Sequence, residues 1–220
     1  MRYAIPFACA LLCVSATAFA DDYSDGQTGL SGVAGLRGSL AFDSSLHVKA
    51  ATTPPVALKA NAKVGGGGSV YWGLKLPYGF KTEFEVLYRY LPLSSANVNG
   101  ASASLGGYAQ MVAPMVNAYW NVPVGDIGFQ PFIGGGLGYA WNEIGVNNIA
   151  GVSFPTAHDD NWRFAYNFMA GASLPINDTS RITGMYRWLH EDIGVYCGTV
   201  TKCSGNLNSQ SIDLGIEMDL

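Results

Sequence analysis

Charge is scarce in this chain. Only 13% of the residues are Asp, Glu, Lys or Arg, about half the ~25% usual in a water-soluble domain, so much of the outer surface is expected not to face water. The basic residues form no block and the formal net charge is −4, which argues against nucleic acid as a partner. Long apolar runs are also missing after residue 20. None reaches the roughly 18 apolar residues of a spanning helix. Any membrane crossing must therefore be made by strands, and these must close on themselves, because lipid satisfies no backbone polar group.

Histidine and cysteine are few. His47, His158 and His190 all fall in or beside predicted loops. His158-Asp159-Asp160 and His190-Glu191-Asp192 have the composition of metal or acid–base sites, but no serine stands beside a histidine as in the barrel lipases. Polar loop tips in water are the simpler reading. The glycine runs at 65–68 and 134–138 open no helix and lack dinucleotide spacing. No catalytic or metal-ligating residue and no cofactor is assigned. Of four cysteines, Cys9 and Cys13 lie in the first twenty residues, which leaves Cys197 and Cys203. In an exported chain these two are expected to form a disulfide, worth about 2 kcal/mol for so short a loop. Two cysteines are too few for a zinc site.

The N-terminus carries the marks of a secretory signal: Arg2, an apolar stretch at 4–14, and Ala18-Phe19-Ala20. Cleavage is expected between Ala20 and Asp21. Residues 1–20 are then the signal, and 21–220 form a single domain with four long surface loops.

What the chain does have is alternation. In the segment 70–90, Val70, Trp72, Leu74 and Leu76, then Thr82, Phe84, Val86, Tyr88 and Tyr90, share one face. Lys75, Glu83, Glu85 and Arg89 take the other. A period of two is the mark of strands. The same pattern places further strands near 29–42, 108–120, 128–141, 161–174, 181–189 and 207–220. The connections alternate between long (43–63, 91–107, 142–160, 190–206) and short (77–79, 121–127, 175–180). A soluble barrel also alternates, but it has no reason to sort its loops by side. Long loops at one end, tight turns at the other and aromatics near strand ends are the asymmetry of a membrane barrel. The expected fold is all-β, an eight-stranded antiparallel up-and-down transmembrane β-barrel. Pro114, inside a strand, predicts a bulge.

Several segments carry a more specific likeness. They are Met115-Val116-Asn117-Ala118-Tyr119-Trp120, Pro131-Phe132-Ile133-Gly134-Gly135-Gly136-Leu137-Gly138-Tyr139, Phe164-Ala165-Tyr166 with Met169-Ala170-Gly171-Ala172-Ser173, and Met185-Tyr186-Arg187-Trp188. In this order they resemble the eight-stranded opacity-protein and surface-antigen family of Gram-negative bacteria. The last residues, with Gly215, Met218 and Leu220, resemble the closing-strand signal read by the barrel-assembly machinery, with Leu220 where an aromatic is common. The resemblance implies a non-enzymatic surface protein of the bacterial outer membrane. Its long loops would be extracellular and both termini periplasmic. The barrel would anchor loops that serve envelope structure, adhesion or antigenic display. The partners implied are outer-membrane lipid, the assembly machinery, and host or envelope components. The alternatives are a narrow transport pore and, further off, a lipid-modifying or proteolytic enzyme.

The remaining candidates are the inward charges. Arg37, Lys75, Arg89, Arg163, Arg181 and Arg187 would face Glu83, Glu85, Asp213 and Glu217. An eight-stranded barrel holds little more than its own side chains, so a filled, ion-paired lumen is expected rather than a lined ion path. Lys75 is expected to reach Glu83 diagonally across the hairpin. Inward Gly134 and Gly136 are expected to make room for arginines.

Overall fold

In the computed structural model the described residues are 30–50, 56–98, 101–124, 128–149, 157–158, 162–197 and 201–220. The predicted signal and its cleavage site at Ala20 and Asp21 lie outside them. Among the described residues ten strands form one antiparallel sheet: β1 (Ser31–Ala50), β2 (Val56–Ala62), β3 (Gly65–Lys75), β4 (Phe80–Val98), β5 (Ala101–Asn121), β6 (Gln130–Ile149), β7 (Ala157–His158), β8 (Arg163–Pro175), β9 (Ser180–Cys197) and β10 (Thr201–Asp219). β1 pairs with β10, and this closes the ring. β2 and β3 occupy one position between β1 and β4, β2 on the outer halves and β3 on the inner. β7 is a two-residue bridge on β6. The ten strands thus fill eight positions.

Period two sets the faces. On β3, Ser69 and Tyr71 are buried while Val70, Trp72 and Leu74 are exposed, and on β10, Ser211, Asp213 and Glu217 are buried while Ile212, Leu214 and Ile216 are exposed. The barrel is therefore inverted relative to a soluble one, with apolar side chains outside and charge within. Aromatic pairs bind the outer wall across strands, such as Trp72 with Phe84 (4.6 Å between centroids) and Phe168 with Trp188 (6.0 Å).

One end of the ring has tight connections. Pro77–Gly79 makes a single 3₁₀ turn in which Tyr78 and Gly79 take left-handed φ values of 63° and 80°. Between β8 and β9, Asn177 Oδ1 accepts from the Thr179 N–H at 3.0 Å. The C-terminus closes at this same rim, where the Leu220 N–H donates to the Gly32 carbonyl at 2.9 Å.

The other end differs from the sequence reading. The segments taken as long loops are mostly strand. β4 and β5 stay paired out to Val98 opposite Ala101, β9 and β10 out to Cys197 opposite Thr201, and β1 with β10 out to Ala50 opposite Cys203. The strands run to about 20 residues, against the 9–11 a tilted strand needs to cross a bilayer. A bulge between Phe42 and Ser45, with Asp43 at φ 44°, begins the outer part of β1. Pro114 makes no bulge. It stands opposite Val86 in unbroken register, on the outward face.

Candidate functional site

The lumen is the part of the molecule where chemistry-bearing side chains converge. Glu85 is its hub. It is fully buried, and its carboxylate accepts from Arg187 at 2.8 and 2.9 Å, Asn117 at 2.6 Å, Ser69 at 2.6 Å and Arg37 at 3.3 Å. Arg37 donates to both oxygens of Glu83 at 2.8 Å and lies over the Tyr71 ring, 3.5 Å from its centroid. Lys81 bridges Glu83 (2.8 Å) and Glu217 (2.6 Å). Arg187 also sits 2.8 Å from Asp213 through Nε, an ion pair whose N–H is not aimed at the oxygen. At the turn rim Asp219 takes Arg181 at 2.8 Å and Lys75 at 2.5 Å.

Backbone shape makes these reaches possible. A Cβ on Gly215 would lie 2.7 Å from the Arg37 side chain, and one on Gly35 would strike the Tyr71 hydroxyl. Gly134 and Gly136 make room for Tyr119 and the Asn117 amide, not for the arginines expected from the sequence. Apolar packing separates the polar groups. Tyr119, Phe132, Met169 and Met185 form one cluster, Leu87, Met111, Met115 and Leu189 belong to a second, and Leu46, Leu91, Leu105 and Leu207 to a third toward the outer end.

The arrangement crosses the lumen from wall to wall. Each buried charge removed from water needs a partner, and the partners lie on opposite walls. Arg187 on β9 meets Glu85 on β4, and Lys81 on β4 meets Glu217 on β10. Among the described residues no group of three acidic, His or Cys side chains could hold a metal.

The outer membrane protein beta-barrel domain family matches residues 7–217. The chain belongs to this family. No curated protein sequence matches it. Among solved structures it is similar to Neisserial surface protein A, with a TM-score of 0.51 and 13% identity over 86% of this chain and 98% of that one. It is also similar to the outer membrane protein OprG from Pseudomonas aeruginosa, with a TM-score of 0.59 and 12% identity over 90% and 99% of the two chains. At such identities the likeness concerns the fold.

Within this outer-membrane barrel the sequence-derived residues are distributed as follows. Arg37, Glu83, Glu85, Arg187, Asp213 and Glu217 form the central network, and Lys75 and Arg181 its rim. Lys75 is diagonal to Glu83 in register, yet its ammonium meets Asp219 across β1, while Lys81 takes Glu83. Arg89 joins the Glu85 network indirectly, since Ser211 donates to Asp213 at 2.8 Å and Asp213 pairs with Arg187. It donates to the Ser209 and Ser211 hydroxyls at 2.8 Å each. Arg163 stands opposite Ala140 toward the outer end of the wall. Gly215 faces inward beside Arg37, while Met218 and Leu220 are exposed on the outer wall. Cys197 stands opposite Thr201 and Cys203 opposite Val195; their side chains lie outside the described residues.

His47 and His190 are not loop tips. They lie within β1 and β9, and His190 packs against the Tyr166 ring at 4.9 Å with Nδ1 2.7 Å from Asn208 Oδ1. His158 pairs with Glu143 through the backbone. Sequence reasoning puts Lys81 and Asp219 on the inward columns without counting them in the charge network, and misses Asn117 and Glu191 as lumen groups. The first three share the inward parity of neighbouring charges. Glu191 fell inside a presumed loop. It is fully buried, and neither of its oxygens has a hydrogen-bond donor among the described residues.

Proposed function

We propose that this barrel is a non-enzymatic surface anchor whose lumen is closed and whose outer strand ends carry the recognition surface. The observation that supports this is the hydrogen-bonded charge network centred on Glu85, which spans the lumen between β1, β4, β5 and β9. A transport pore needs a continuous wet path, and the side chains bonded across the lumen between β4 and β9 weigh against one. The outer ends are extracellular and the tight turns periplasmic in this reading, because polar strand extension beyond the apolar band fits the side that contacts other cells. Outer-membrane lipid surrounds the apolar band. The assembly machinery reads the closing strand with Gly215, Met218 and Leu220. Host or envelope components meet the outer ends. A Cys197–Cys203 bridge is proposed with the hairpin tip re-paired, since in the present register the two are diagonal and diagonal partners lie beyond disulfide reach; peptide mapping without reductant will detect it.

The orientation is tested with two epitope insertions. One between Val98 and Ala101 should be reached by antibody on intact cells, and one at Asp178 only after permeabilisation. The reverse accessibility would overturn the reading.

A further inference from the structure

The lipid-facing wall is not uniform. Over Gly135 on β6 it sinks into a groove of about 380 Å³, bounded by Val116 and Ala118 of β5, Leu137 of β6, and Tyr166 and Phe168 of β8. Val116, Leu137 and Phe168 are each 60% exposed, so they stand as ridges on either side of the glycine. Gly135 lies between Ile133 and Leu137, both outward and apolar, and so belongs to the hydrocarbon band of a barrel whose family spans the outer membrane. Behind the groove the wall is one backbone thick. Asn117 and Asn167 back it, and Asn117 carries the hub carboxylate of Glu85 at 2.6 Å.

We propose that this groove seats one acyl chain of a membrane lipid. The groove is continuous with the apolar band that lipid already covers, and its rim is apolar and aromatic. Its volume equals roughly a dozen waters, which hydrocarbon does not supply. Left empty, every lining side chain would forgo contact on one face. A flexible chain of methylenes fits over Ala118 and Gly135, against the Phe168 ring and beside the bank that Val116, Leu137 and Tyr166 form as register partners. The occupant is therefore a particular bound chain in addition to the general lipid annulus.

Gly135 provides the test. A Cβ there would make only ordinary contact, 3.4 Å from the Asn167 carbonyl oxygen and 3.6 Å from the Phe168 ring, so Gly135→Leu fills the groove without moving backbone. The full-length protein is refolded into phosphatidylethanolamine vesicles carrying a phospholipid with a mid-chain diazirine. After irradiation, labelled peptides are mapped. Peptides of β6 and β8 around Gly135 and Phe168 should be labelled about tenfold above the equally exposed Leu36 and Leu214 of the opposite wall, which corresponds to ~1.4 kcal/mol of preference. Gly135→Leu should bring the two walls level while heat-modifiable migration still reports a folded barrel. If that variant does not assemble, Ala118→Leu fills the groove from the other side and must give the same result. Even labelling of both walls in the unmutated protein, or a preference that survives a filled groove, overturns the proposal. So does protection of the Gly135 and Phe168 peptides from the lipid label that grows with protein concentration and is lost in Gly135→Leu, since it would make a second copy the occupant.

Discussion

At the scale of single residues, Glu85 concentrates more of the lumen's order than any other side chain in the network. It accepts from two arginines, an asparagine and a serine and is fully buried. Glu85→Ala leaves Arg37 with Glu83 alone and Arg187 with Asp213 alone, both buried. Breaking one partner of a buried pair costs about 3–5 kcal/mol. Urea unfolding in lipid vesicles should show a loss of that size. A loss below about 1 kcal/mol, typical of exposed ion pairs, would mean that water fills the lumen. The outward column gives a second contrast. Val86 faces lipid between Val70 and Pro114, so Val86→Arg should cost about 2–4 kcal/mol at the bilayer midplane. Ser104→Lys, exposed on the outer part of β5, should stay within about 0.5 kcal/mol. Equal losses in the same titration would show that the outward column does not meet lipid.

At the scale of elements, the outer parts of the strands are a wall with its own core. Leu46, Leu91, Leu93, Leu105, Ile144, Ile193 and Leu207 are buried against one another beyond the charge network. Leu207→Ala should cost about 2–5 kcal/mol, the range for truncating a packed leucine. The loss should be local. Amide exchange should quicken at the outer ends of β9 and β10 and stay slow around Ile212 and Leu214. Uniform quickening would mean that the wall and the membrane section unfold as one unit. The faces of these strands were legible from the sequence because apolar–polar contrast is sharp where one side meets lipid. Ile212, Leu214 and Ile216 against Ser211, Asp213 and Glu217 is such a column. The strand ends were not legible. Past the lipid band the outward residues turn polar, as in Ser102, Ser104, Ser204 and Asn206, so alternation fades while backbone pairing continues. The pairing partners were hidden for another reason. Parity fixes which side chains enter the lumen, but strand register and the length of each side chain decide who meets whom. Lys75 therefore reaches Asp219, and Arg89 reaches two serines.

At the scale of the whole molecule, the question is whether the barrel conducts. Ion pairs cross the lumen from β4 to β9 and from β4 to β10. The apolar clusters of Leu87, Met111 and Leu189, and of Leu91 and Leu207, lie further toward the outer end. An ion entering from either side would have to shed water against leucine or methionine, or displace a bonded arginine. Both are costly in a low-dielectric interior. The unmutated protein should therefore give no large, stable conductance in a planar bilayer. The network also predicts where a leak begins. Glu85→Ala leaves Arg37 with Glu83 alone and Arg187 with Asp213 alone and removes the carboxylate between them, so water can enter between the two guanidinium groups. Small, flickering events with anion preference should appear in that variant. Ser104→Lys, outside the lumen, should leave the baseline silent. Steady porin-like conductance from the unmutated barrel, unchanged by Glu85→Ala, would show that the wall-to-wall pairs are not what fills the lumen in the membrane, and the transport reading would replace the anchor.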